Sequence, residues 1–140
     1  MAIPTSLALE IVTPDRAIVK EQVDEVQLPG SEGYLGVLPG HAPLVTTLQV
    51  GEMWYRKGQE IKYLALAFGF AEVLPDRVTV LAQIAERAED IDASRAEAAK
   101  VRAEQRVASP EAHVDFERAR IALMKSMVRL QVATRARTRA

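Results

Sequence analysis

A small set of side chains in the second half of the chain has the types and spacing to hold a phosphorylated ligand. Asp92 and Arg95 stand three apart in Ile91-Asp92-Ala93-Ser94-Arg95-Ala96, with Arg102 further along the same face, and Lys125 and Arg129 stand four apart downstream. Residues three or four apart on a helix share a face. Two such helices closed on each other gather Arg95, Lys125 and Arg129 around a polyphosphate, while Asp92 accepts a hydrogen bond from a base or ribose. The same residues have a plainer reading: a helix-start carboxylate favoured by the dipole, and a routine pair worth about 0.2–0.5 kcal/mol.

Other constellations lead away from catalysis. Gly30-Ser31-Glu32-Gly33-Tyr34-Leu35-Gly36 has the glycine spacing that lets backbone amides approach an anion. Neither a lysine nor a helix start follows, as a nucleotide loop requires; Val37-Leu38-Pro39-Gly40-His41-Ala42-Pro43 is a second turn-rich run. The segment therefore reads as two exposed turns flanking a short strand, with Glu32 and His41 as polar groups at one end of the domain. With no cysteine, thiol chemistry and zinc–thiolate sites are excluded. His41 and His113 are the only histidines and lack a ligand pattern. Adjacent acids such as Asp24/Glu25 and Glu89/Asp90 point apart. No catalytic residues and no metal ligands are expected.

The chain has 18 basic and 19 acidic residues among 140, for a net charge of −1, and a pI near 6.1. That balance argues against a general nucleic-acid binder, whose phosphate affinity needs a surplus of Lys and Arg. No apolar run approaches the roughly 18 residues that span a bilayer, and Met1–Leu9 lacks a charged leader region and a cleavage signature. A cytosolic or peripheral protein is expected.

The elements that must position these residues divide near residue 85. All 7 glycines, six of the 7 prolines and every aromatic except Phe116 precede that point. Apolar and polar residues alternate there between closely spaced turn signals, which predicts short strands near Leu7–Val12, Ala17–Lys20, Asp24–Leu28, Tyr34–Val37, Leu44–Leu48, Met53–Arg56, Glu60–Ala65, Phe70–Leu74 and Val78–Ile84. Arg56-Lys57-Gly58-Gln59 and Pro75-Asp76-Arg77 read as hairpin turns. Without a helix-length crossover, these strands point to an antiparallel β-sandwich or flattened barrel over residues 1–85.

Residues 86–140 are rich in Ala, Glu and Arg and predict a two-helix hairpin, Asp92–Gln105 and Pro110–Thr134, joined by Arg106-Val107-Ala108-Ser109. Phe116, Ala119, Leu123, Met127 and Leu130 form an apolar stripe on the second helix, whereas the first offers mainly alanines. So thin a core is insufficient alone, and the hairpin must lean on the sandwich or on a partner. A helical arm with two homes is a candidate switch. From Arg118 onward there are bases and no acid, ending in Arg135-Ala136-Arg137-Thr138-Arg139, a patch suited to an acidic surface.

Several of these runs together resemble one family. Leu28-Pro29-Gly30-Ser31-Glu32-Gly33, Leu35 to Leu44, Val78-Thr79-Val80-Leu81-Ala82 and Ile91-Asp92-Ala93-Ser94-Arg95-Ala96 are similar to the epsilon subunits of bacterial F-type ATP synthases, over essentially the whole chain. The resemblance implies a non-catalytic stalk subunit. Its sandwich would bind the foot of the rotating gamma subunit and the polar loops of the membrane c-ring, and its arm would restrain ATP hydrolysis by the alpha/beta head. It places Glu32 and His41 at c-ring-facing positions. It places Ile91, Asp92 and Arg95 in the motif by which some bacterial members bind ATP as a regulatory ligand, not as a cofactor. Arg129 matches a second-helix base of that site, and Lys125 stands where the best ATP binders carry arginine. Lys125, Arg129 and Arg135 are the bases expected to meet the head. The implied location is the cytoplasmic side of the bacterial plasma membrane, held peripherally through the c-ring, with no nucleic-acid partner. The competing reading is a freestanding anion- or nucleic-acid-binding module using the basic second helix; steep salt dependence would mark it, whereas a stalk subunit co-purifies with gamma.

Overall fold

The structure, a computed structural model, describes residues 3–109 and 115–137. Eight strands precede two helices: β1 (Leu7–Val12), β2 (Ala17–Val23), β3 (Glu25–Gly30), β4 (Gly33–Val37), β5 (Leu44–Leu48), β6 (Gly51–Lys57), β7 (Glu60–Leu74) and β8 (Arg77–Arg87), then α1 (Ala93–Ala108) and α2 (Phe116–Arg137). A short 3-10 turn, Ala88–Asp90, joins strand to helix. This is the expected β-sandwich followed by a helical hairpin.

Alternation makes the strands. In β1, Leu7, Leu9 and Ile11 point inward while Ala8, Glu10 and Val12 are half-buried, the period-2 pattern of a strand with one covered face. The inward rows of all these strands form one core, with Val26, Leu28, Val37, Met53, Leu64, Leu66, Val73, Val78 and Val80 essentially inaccessible. The sheet runs β2-β1-β8-β7-β5-β3-β4, with β6 bridging β3 and β7, so it curls back on itself around that core.

Three expectations change. The two strands expected at Glu60–Ala65 and Phe70–Leu74 are one, β7, which pairs with β6 over its first half and β5 over its second. The join is a bend at Phe68 (φ 60°) and Gly69 (φ 126°), across which β7 keeps its register on β8. A Cβ at Gly69 would lie 2.0 Å from the Leu81 carbonyl oxygen, so only glycine fits. Second, β1 and β8 pair in parallel, Leu9 opposite Val78; the six intervening strands supply the crossover that a helix usually supplies. Third, Arg106, Val107 and Ala108, expected in the connection, continue α1, because nothing in Arg-Val-Ala breaks a helix. The predicted helix start at Pro110 lies outside the described residues. Within them α2 begins at Phe116, where Asp115 accepts a hydrogen bond from the Arg118 amide at 3.0 Å, a capping contact.

The docking face of α2 is also not the predicted one. Phe116 and Met127 are more than half exposed, and of the expected stripe only Ala119 is buried. Val128, Val132 and Ala136 instead pack with Tyr63, Ala65, Ala88 and Ile91 in a second small apolar cluster. Leu64 to Ala67 are consequently buried on both faces of β7: leucines toward the core, alanines beneath the helix. Small buried residues recur every seven positions on α1 (Ala96, Ala103) and on α2 (Ala119, Ser126, Ala133), which lets the two helices approach closely.

Candidate functional site: a polar cleft where sandwich meets arm

Asp92 caps α1, its Oδ1 accepting from the Arg95 amide at 3.1 Å, so the Asp92/Arg95 spacing serves first to start the helix. That cap points Arg95, Ala99 and Arg102 along one face. They meet the end of β8 and the middle of α2 in a cavity of about 470 Å³ lined by Glu86, Asp90, Ile91, Asp92, Arg95, Ala96, Ala99, Arg102 and Arg129. Its volume falls in the range that holds a small organic ligand. Ala96 and Ala99 leave the space; three guanidiniums and three carboxylates line it. An anion brings charge-assisted contacts to the arginines, which are suited to phosphate by their planar fork.

The structure thus lines one cavity with Ile91, Asp92, Arg95 and Arg129 and leaves Lys125 out of it. The Lys125 ammonium lies 5.7 Å from the centroid of the Phe68 ring, beside the β7 bend. Arg102 takes part instead; it lies two turns beyond Arg95, a spacing visible in the sequence. Glu86 was not legible as a site residue, since its position depends on how β8 ends beneath α2. It holds Arg129, Nε to Oε1 2.6 Å. Arg135 is distant from the cavity and hydrogen-bonds Glu52 through Nε and Nη2, both at 3.2 Å, with its guanidinium 4.9 Å from the Tyr63 ring centroid. That carboxylate raises the Arg135 pKa further above its ordinary value. In this pose the three bases assigned to the head therefore lie against the sandwich.

Glu32 is exposed in the turn before β4, and His41 is half-buried in the loop after it, with its Nδ1 2.7 Å from the Ala42 carbonyl oxygen. They flank the edge strand β4 in the chain, Glu32 directly before it and His41 in the turn that follows it. Tyr34 is exposed between them.

A second surface was missed in the sequence. Phe70 on β7 lies directly opposite Leu81 on β8, both more than half exposed, with Val45 of β5 nearby and Val12 of β1 beside Leu81. The available signal was Phe70 sharing the outward face of β7 with Glu72. Such a cross-strand apolar patch is a candidate interaction surface.

The molecule is thus a self-contained sandwich with a docked helical hairpin, an apolar sheet face and an arginine-lined cleft between them. Residues 6–88 match the ATP synthase delta/epsilon chain β-sandwich domain and residues 89–134 the delta/epsilon long α-helix domain, so the chain belongs to the ATP synthase delta/epsilon family. An ATP synthase epsilon chain of Koribacter versatilis is 62% identical over 98 residues, 70% of this chain and 69% of that one. One from Syntrophobacter fumaroxidans is 50% identical over 127 residues, 91% and 95% of the two chains. Among solved structures, a chain of the Euglena gracilis mitochondrial ATP synthase (OSCP/F1/c-ring) superposes with a TM-score of 0.83 at 27% identity, covering 96% of this chain and 84% of that chain. The resemblance drawn from the motifs is therefore upheld.

Proposed function

We propose that this chain is a non-catalytic central-stalk subunit of a bacterial F-type ATP synthase. The sandwich, which ends at Arg87, couples the gamma subunit to the c-ring, and the chain from Ala88 onward forms an arm that restrains ATP hydrolysis. The complex sits at the plasma membrane, with this subunit peripheral on the cytoplasmic side; among the described residues no helix is long and apolar enough to cross a membrane. The observation that carries this reading is the division of surfaces. A sandwich with its own closed core keeps the Phe70/Leu81 face bare, while the basic helix rests elsewhere on it through Arg129–Glu86 and Arg135–Glu52.

The bare sheet face is assigned to gamma, and edge strand β4, from Glu32 past Tyr34 to His41, to the c-ring loops. Phe116 and Met127, which the docked pose leaves more than half exposed, give the arm a second apolar face for the alpha/beta head, with Lys125, Arg129 and Arg135 released to meet its acids. ATP, bound in the cleft by Arg95, Arg102 and Arg129, with Ile91 and Asp92 at its rim, favours the docked arm. The freestanding nucleic-acid module loses support because Arg120 and Arg135 are each paired with a carboxylate in this pose and the chain's net charge is −1.

The test is capture by gamma. Phe70→Glu and Leu81→Glu, on exposed positions, are expected to melt like the parent yet lose gamma. Full retention by both would overturn the assignment of that face. For the ring, the Glu32→Lys, His41→Ala double variant is expected to assemble on the membrane sector more weakly; unchanged coupling of proton flow to synthesis counts against it.

A further inference from the structure

Glu52 is an anomaly in the sandwich: an acid only 9% exposed, on a strand whose neighbours Gly51 and Met53 are buried. Among the described residues its carboxylate makes two hydrogen bonds, both with Arg135, 83 positions away on the arm. The placement follows from register. Glu52 lies opposite Ala65 in the β6–β7 ladder, and Ala65 is the residue on which Val132 packs. Val128, Val132, Arg135 and Ala136 share one helix face at spacings of four, seven and eight. The turn that seats Val132 on Ala65 thus delivers Arg135 to Glu52, where it also stacks on Tyr63, two residues before Ala65 on the same face of β7.

We propose that Glu52, Arg135 and Tyr63 form a latch, separate from the nucleotide cleft, that sets how much of the arm is docked. The apolar cluster beneath α2 is small, with three buried members, Ala65, Ala88 and Val132. Alanine contributes little area, so docking rests on few apolar contacts. An Arg–carboxylate pair with the acid end largely buried adds what those contacts lack, because it is charge-assisted and geometrically exacting. It also makes docking specific: a helix slipped by one turn so that Val128 replaces Val132 near Ala65 brings Gln131 to Glu52 and loses the ion pair. None of the three latch residues lines the cavity at Arg95 and Arg129, so docking has a component independent of ligand.

This inference rests on the arm being a two-position element, and its test needs no partner subunit. The chain has 0 cysteines, so Gln59→Cys and Gln131→Cys, both at exposed positions, give unique sites for two spin labels whose separation reports docking in the isolated full-length chain. The parent is expected to show one dominant distance. Arg135→Gln should raise the undocked-to-docked ratio roughly tenfold, the scale expected for losing hydrogen bonds to a charged group, and Glu52→Gln should shift it in the same direction. Arg118→Gln, which removes an equal charge from an exposed position, should leave it unchanged. Parent-like distances in both latch variants, or an equal shift in Arg118→Gln, would overturn the proposal. Because the distances are read without the head, a failure of the arm to restrain hydrolysis would leave this result intact.

Discussion

Individual residues in this chain hold two kinds of information, and only one is visible from spacing. The Asp92 cap, the Arg95–Arg102 face and the hairpin glycine Gly58 (φ 64°) follow from local chemistry and are legible. Partners across the fold are not. Glu86 and Glu52 become important because β8 ends and β6 begins beneath a helix more than forty positions later, and Lys125 leaves the cleft because the β7 bend carries Phe68 under it. The cleft makes a residue-level prediction. Arg95→Ala and Arg102→Ala should each abolish most of the heat of ATP binding by calorimetry, whereas Lys125→Ala should not; equal loss in all three would remove the distinction drawn here. Gly69 makes another. With backbone 2.0 Å from any added Cβ, Gly69→Ala should cost several kcal/mol in chemical unfolding.

At the level of elements, strands announced themselves through alternation, and eight of them resulted. The arm misled, because the large side chains Phe116, Leu123 and Met127 dominate a count of apolar spacing. The docked face is built from alanines and valines that fit against Ala65 and Ala88. Shape, not hydropathy, decides that contact, and a single chain's pattern does not display shape. Ala65→Phe should accordingly lift α2 away while the sandwich stays folded, read as lost hydrogen-exchange protection along 119–136 with β1 and β8 unaffected. Tyr55 gives a pH prediction for the sandwich itself. Burial, then its 2.7 Å hydrogen bond to Glu21, raises the phenol above its ordinary value of 10. The folded state therefore holds the proton more tightly than the unfolded one. This stability is fully present below pH 10 and falls as pH rises toward the folded pKa. Tyr55→Phe should lose about 1 kcal/mol near neutrality and melt with a flatter alkaline limb; an unchanged limb would mean that Tyr55 does not govern it.

The whole molecule consists of two units with different loyalties. The sandwich core is complete without the arm, since every residue of its main cluster lies between Leu7 and Ala85. The arm lies on it through a small apolar cluster with three buried and four half-buried members, two ion pairs and two cation–ring contacts. Energetically this is a modest attachment, of the size that a ligand or a partner can outweigh: binding at a hundred times its dissociation constant contributes about 2.7 kcal/mol. The central claim is that the arm, not the sandwich, restrains hydrolysis. The most direct measurement is the ATPase rate of the reconstituted complex carrying either the full chain or one truncated after Ala88, with proton pumping followed in parallel. The account predicts that the truncated complex still pumps and hydrolyses ATP faster. Equal rates with the two chains would place the restraint in the sandwich and contradict it.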